Sequence, residues 1–212
     1  PASGGGRTGA ISRDHSIKTV EAGNGLDFRV HSLVGGKWTT FRAFSEQTAD
    51  VALKDINATR QVDTKTLAIG GGKDYPTDEA AQKKWLSDLQ QQTELPLEQL
   101  TTLFERYGTY AAEVATFMSA ANDTALQHLP DYTQREIHFI TQHEQTVHLD
   151  DFFKRRSLMA MLGYAKPEAI AEVADIMAEA LDWSAEDKAA EIERMQRILD
   201  SKHPIPQPLQ SA

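Results

Sequence analysis

Gly35 and Gly36, followed by Lys37, Trp38, Thr39 and Thr40, form the segment of this sequence best suited to hold an anion. Glycine lets backbone approach a ligand closely, and this pair joins a strand-like run ending at Val34 to a helix-like run starting near Trp38. A helix start offers unpaired N–H groups and the positive end of its dipole, so it favours an anion or a developing negative charge. Lys37 adds a mobile cation there, and Thr39 or Thr40 can cap the helix or donate to a ligand. The plainer reading of the same residues is a tight turn with a capping threonine. A P-loop is excluded, because the places that require Gly and Ser/Thr around Gly36 and Lys37 hold His31 and Trp38. Gly72 and Lys73 fail in the same way, with Leu67 and Asp74 in those places.

Other groups of reactive side chains carry less. Arg13 with His15 is able to grip a phosphate or carboxylate, or to form an ordinary surface ion cluster. His138, His143 and His148 recur at steps of five, which turn about 140° each around a helix, so no shared metal is expected. Asp150 with Lys154, and Asp151 with Arg155, stand at helical i,i+4 spacing and read as an ion network. No local signature of a nucleophilic triad occurs, and no residue is assigned as a proton-transfer or nucleophilic catalyst.

These residues must be positioned by a chain of 212 residues with 40% apolar and 25% charged residues, the proportions of ordinary globular protein. The absence of cysteine excludes disulfides, thiolate nucleophiles and Cys-type zinc sites. No apolar run is long enough to span a bilayer. Residues 1–57 hold seven Lys/Arg and six Asp/Glu, a balance of +1; residues 58–212 hold fifteen and twenty-five, a balance of −10. Such an acidic surface argues against a nucleic-acid partner and predicts repulsion from an anionic membrane leaflet.

Ile17–Val20 and Phe28–Val34 read as strands around Gly23 and Gly25, followed by a helix from about Trp38 to Ile56. Helices are then expected from Thr77, from Pro96, from Thr133, over Leu149–Leu162, from Pro167 and from Ser184. The expected fold is mainly α: a short β-hairpin and one helix, then an all-α bundle of about seven helices. The divisions fall at 1–57, a linker at 58–77, the helical part at 78–203 and a Pro-rich tail at 204–212. With no initiator Met and no signal pattern at Pro1, the sequence reads as a piece of a longer chain.

The pieces, in this order, resemble the C-terminal part of FAD-dependent glycerol-3-phosphate dehydrogenases and the related alpha-glycerophosphate oxidases. The resemblance rests on Ile11–Ile17, on Gly35–Arg42, on Arg106, Tyr107 and Gly108, on Glu136 and Ile137 leading to His143 and Glu144, and on Leu149–Asp151 with Arg155 and Arg156. It implies oxidation of sn-glycerol 3-phosphate to dihydroxyacetone phosphate by FAD, with electrons passed to quinone. It implies flavin contacts at Gly35, Gly36, Lys37, Trp38, Thr39 and Thr40, and substrate contacts at Arg13 and Lys37, His15 being a weaker choice. The family carries Tyr where this chain has Phe41. The Gly-x-Gly-x-x-Gly dinucleotide fingerprint, near the N-terminus in the family, does not occur here, so the chain alone is expected neither to retain FAD nor to turn over substrate. The resemblance further implies a cytoplasmic enzyme, peripheral on the inner face of the cell membrane through parts outside this chain, and it admits a homodimer. Two other readings are an oxidase that uses oxygen and a helical interaction or dimerisation module without catalysis.

Overall fold

The computed structural model describes residues 14–23, 25–35 and 37–202, which divide into two compact units after Ile69. In the first unit, β1 (Ser16–Val20) pairs antiparallel with β2 (Val30–Val34), Ser16 opposite Val34 and Val20 opposite Val30. The second strand starts two residues later than its sequence suggests. Gly23 and Leu26 exchange backbone hydrogen bonds of 2.9 and 3.0 Å, closing the loop early and leaving Phe28 exposed. A 3-10 turn, Trp38–Thr40, leads into α1 (Phe41–Asp55).

Charge, more than apolar burial, ties the hairpin to this helix. Asp55, at the end of α1, accepts from Arg29 at 2.7 Å and from His31 at 2.6 Å, and Thr19 bonds the other nitrogen of His31 at 2.9 Å. The hydrogen bonds from Arg29 and His31 hold the Asp55 carboxyl below its ordinary range. Phe44 is the one buried apolar side chain among the described residues of this unit. Val20, Phe28, Leu33, Trp38, Phe41 and Ile56 remain exposed. That is a small core for a unit of this size.

The second unit is an all-α bundle. It comprises α2 (Glu79–Thr93), α3 (Leu97–Tyr107), α4 (Ala111–Ser119), α5 (Gln134–His143), the short α6 (Leu149–Asp151), α7 (Pro167–Ala180) and α8 (Ala185–Lys202). Helix α5 stands between two cores. Phe139 faces Leu100, Leu103 and Met118 on one side, while Ile137 and Ile140 face Phe152, Val173 and Met177 on the other. The expected starts hold with adjustments. Asp78 rather than Thr77 caps α2, its carboxylate accepting from the Ala81 N–H at 2.8 Å. Ser184 and Asp187 form a reciprocal capping box, each backbone N–H donating to the other side chain. At Thr133 the box is one-sided, since the hydroxyl accepts from the Glu136 N–H while the Glu136 carboxylate turns inward.

The expected helix over Leu149–Leu162 is broken. After α6 the backbone widens into a π-helical turn, Phe152–Arg156, and then runs through turns to Gly163. A π turn brings i and i+5 together. Arg155 therefore reaches Asp150 at 2.8 Å as well as Asp151 at 2.6 Å, and Asp150 pairs with Arg155 and Arg194 rather than with Lys154. The ion network thus fastens α6 to α8.

Asp150 is 4% exposed. Burial lifts its carboxyl, but the hydrogen bonds from Arg194 and Arg155 outweigh burial and hold it below the usual aspartate range. A carboxyl depressed in the folded state stabilises above its unfolded pKa of about 3.9, and that stabilisation fades as pH falls through the lower folded value. Denaturant titrations of wild type and Asp150→Asn at a series of pH values should show the variant less stable at neutral pH. The gap should close below about pH 4; a gap that persists unchanged in acid would refute this role.

Candidate functional site

Gly35 ends β2 with a φ of 78°, a conformation that disfavours any side chain. A Cβ there would stand 2.6 Å from the backbone oxygen of Asp14, so glycine is needed for space as well as for conformation. The chain then turns at Lys37, extended at φ −111° and ψ 156°, into the 3-10 turn. The Thr40 hydroxyl accepts from the Lys37 N–H at 3.1 Å and donates to the Lys37 carbonyl at 3.0 Å, closing the turn on itself. Thr40 is thereby occupied as the local cap. The Lys37 ammonium makes no ion pair among the described residues, and Trp38 is 94% exposed.

This arrangement brings Gly35, Lys37, Trp38, Thr39 and Thr40 into one short turn at the start of α1. Arg13 and Gly36 lie outside the described residues. His15 stands beside the same turn in sequence register, its strand pairing Ser16 with Val34. Its ring packs on Phe44 with centroids 4.4 Å apart and bonds Gln47 at 2.9 Å, so it is fixed by packing. Arg42, the next cation along α1, donates to Thr64 at 3.2 Å and pairs with Glu46 at 3.4 Å. Among the cations of the described motif, Lys37 is thus left for a ligand. Chemically the turn offers helix-start N–H groups, a mobile ammonium and a flat exposed indole.

The histidines of the second unit are dispersed. His143 stacks on Phe139 at 4.3 Å, His148 bonds Glu191 at 2.9 Å, and His138 packs near Phe117. Sequence patterns did not anticipate the buried polar centre around Glu136. Arg106 donates to both carboxylate oxygens of Glu136 at 2.9 Å, the Tyr107 hydroxyl donates at 2.8 Å, and the Arg106 guanidinium lies 3.9 Å over the Tyr132 ring. Burial pushes the Glu136 carboxyl up, and Arg106 and Tyr107 pull it part of the way back. Burial and the neighbouring carboxylate both raise the Tyr107 phenol, keeping it a neutral donor. Next to this centre, Gly108 has a φ of 58°, and a Cβ on Gly71 would land on the Tyr107 carbonyl. The only sequence signal for this centre was that Arg106, Tyr107, Gly108 and Glu136 recur as family motif residues.

Comparison with known proteins places these features in context. Residues 62–188 match the family model described as the C-terminal domain of alpha-glycerophosphate oxidase. The probable mitochondrial glycerol-3-phosphate dehydrogenase of Dictyostelium discoideum is 28% identical over 197 residues, covering 91% of this chain and 29% of that protein. The mitochondrial glycerol-3-phosphate dehydrogenase of Mesocricetus auratus is 30% identical over 202 residues, 91% of this chain and 26% of its own length. The glycerol-3-phosphate dehydrogenase of Mycobacterium leprae is 28% identical over 189 residues, 87% of this chain and 31% of its own. This chain thus spans less than a third of the length of these curated relatives. The crystal structure of the Bacillus halodurans glycerol-3-phosphate dehydrogenase complexed with FAD shares the fold, with a TM-score of 0.60 at 18% identity over 80% of this chain and 35% of that one. Since the family model covers more than half of its residues, this chain belongs to the family of alpha-glycerophosphate oxidase C-terminal domains.

Proposed function

We propose that this chain forms the C-terminal part of an FAD-dependent glycerol-3-phosphate dehydrogenase, with the Gly35–Thr40 turn at the flavin and Lys37 and Arg13 at the anionic end of the substrate. The observation that carries the reading is the turn itself. Gly35 holds a backbone conformation and a clearance that only glycine meets, and Lys37, which makes no ion pair among the described residues, stands at the start of an 18-residue helical run. The described residues fit a flavin edge: helix-start N–H groups suit a region that gains negative charge, and the exposed Trp38 offers a flat apolar surface. The chemistry a bound flavin would supply is acceptance of a hydride from the secondary carbon of sn-glycerol 3-phosphate as its hydroxyl loses a proton, giving dihydroxyacetone phosphate. The residues of this chain bind and orient. The Lys37 ammonium neutralises an anionic substrate, and the α1 dipole favours negative charge in front of it. Quinone is the acceptor that the resemblance implies, and relatives named as dehydrogenases rather than oxidases favour an acceptor other than oxygen.

The test is to assay the complete polypeptide containing these residues with sn-glycerol 3-phosphate. Reduction of a quinone analogue, without matching hydrogen peroxide, is expected. Peroxide at the rate of dye reduction would make the protein an oxidase. Absence of any substrate-dependent reduction by a flavin-loaded preparation would reject the reading. The 212-residue chain by itself is expected to be colourless.

A further inference from the structure

Helix α1 ends on an aspartate, and local electrostatics argues against one there. The C-terminus is the negative end of the helix dipole, where a carboxylate is disfavoured. Asp55 is nonetheless the last residue of α1, and the chemistry proposed above gives it no part. What compensates it comes from the hairpin. Arg29 and His31 each donate to one of its oxygens, at 2.7 and 2.6 Å, and only 23% of the side chain is exposed. A carboxylate only accepts, so the His31 proton sits on Nε2, and Nδ1 bonds the Thr19 hydroxyl at 2.9 Å. Glu21 holds Arg29 from the other side at 2.7 Å. Both strands of the hairpin thus meet the end of α1 in one clasp.

The clasp lies at the opposite end of strand and helix from the Gly35–Thr40 turn. From Arg29 and His31 the chain runs along β2 to Gly35, turns, and comes back through the 15 residues of α1, about 22 Å at 1.5 Å per residue. Near the turn, His15 joins hairpin and helix through its ring on Phe44 and its bond to Gln47. Beyond Phe44, no apolar side chain of α1 is buried. Arg60 pairs with Glu46 and Asp50, which ties the segment after α1 to the helix rather than to the hairpin. We propose that Asp55, clasped by His31 and Arg29, is a positioning residue for the turn: it fixes the direction of α1 and so aims the helix start and the Lys37 ammonium at flavin and substrate. A helix secured only at its start is free to tilt, and its dipole and first N–H groups act on a ligand through their orientation. The inference rests on the flavin reading above and adds the residues that hold that site in aim.

The test uses the complete, flavin-loaded polypeptide. Asp55→Asn should raise KM for sn-glycerol 3-phosphate by about tenfold. It should also move the flavin reduction potential about 30 mV more negative, a tenfold change in a two-electron equilibrium, because the helix start no longer favours the reduced, more negative flavin. His31→Gln keeps a donor toward Asp55 and should retain most of both properties. Arg29→Leu removes one of the two bonds at a more exposed position, so it should fold even if Asp55→Asn does not, and show the same shifts at smaller size. In a Lys37→Met background, Asp55→Asn should change KM by less than about twofold, since both act through one ammonium; independent sites would multiply. A lowered melting temperature with KM and potential unchanged would make the clasp merely structural and overturn the proposal, as would effects on KM that multiply with those of Lys37→Met. Absence of substrate-dependent flavin reduction in wild type is a different result: it would remove the flavin reading, and this inference with it.

Discussion

Lys37→Met in the complete, flavin-loaded polypeptide should lower kcat/KM for sn-glycerol 3-phosphate by about 10²–10³-fold, the effect of removing one preorganised charge-stabilising donor from an active site. Methionine keeps the length and apolar stem of lysine and removes only the ammonium. The Lys37 backbone, which carries the two bonds to Thr40, is untouched. No ion pair among the described residues is lost, so the melting temperature should stay within about 1 °C, as for most exposed substitutions. Lys37→Arg should retain part of the activity, because it restores charge at a different reach. Thr40→Val provides the contrast. It removes the cap and should cost about 1 kcal/mol of stability, with a smaller effect on turnover once folded. If the segment is only a capped turn, the ranking reverses: Lys37→Met would be kinetically silent and Thr40→Val would dominate. Steady-state kinetics normalised to bound flavin, with thermal melts of the same preparations, separates the two.

The turn was legible because glycine, lysine and threonine each have a local physical meaning at a strand-to-helix junction. Gly35 takes the positive φ that the rule demands, while the Thr40 hydroxyl closes the 3-10 turn back on Lys37 instead of capping the N–H groups of α1. The capping pairs show where such rules stop. Ser184 and Asp187 close on each other because nothing else claims either side chain. Thr133 and Glu136 have the same spacing, but a half-buried arginine thirty residues away claims the glutamate. Local spacing cannot see that competitor. The pairing of Asp150 with Lys154 failed for a different reason. The i,i+4 rule assumes an α-helix, and the π turn after Asp151 adds a residue to the turn, so Arg155 takes the place in front of Asp150. The contact of Gly71 with Tyr107 and Gly108 is backbone against backbone across 36 residues. Periodicity, which reads side chains, carries no trace of it.

Arg106→Ala should destabilise the helical unit by about 3–5 kcal/mol, the cost of leaving a buried charge without its partner. Glu136 is 2% exposed, and its carboxylate is satisfied by Arg106 on both oxygens and by Tyr107 on one. Alanine leaves only the phenol and also removes the guanidinium from the Tyr132 ring. Without the cation, burial acts unopposed, and the Glu136 carboxyl should move further above the ordinary Glu range, toward taking up a proton. A carboxyl raised in the folded state is least costly below its unfolded pKa of about 4.3 and becomes more costly as pH rises through the folded value. The deficit of Arg106→Ala should therefore be larger at about pH 8 than at about pH 5. Adding Glu136→Gln should recover part of the loss, since a neutral amide next to Tyr107 is cheaper to bury than an unpaired carboxylate. Urea unfolding of the three variants at both pH values measures this directly. A loss below about 1 kcal/mol, or one that ignores both pH and the second substitution, would mean that Arg106 behaves as an ordinary surface pair. The buried glutamate would then draw its support from elsewhere in the bundle.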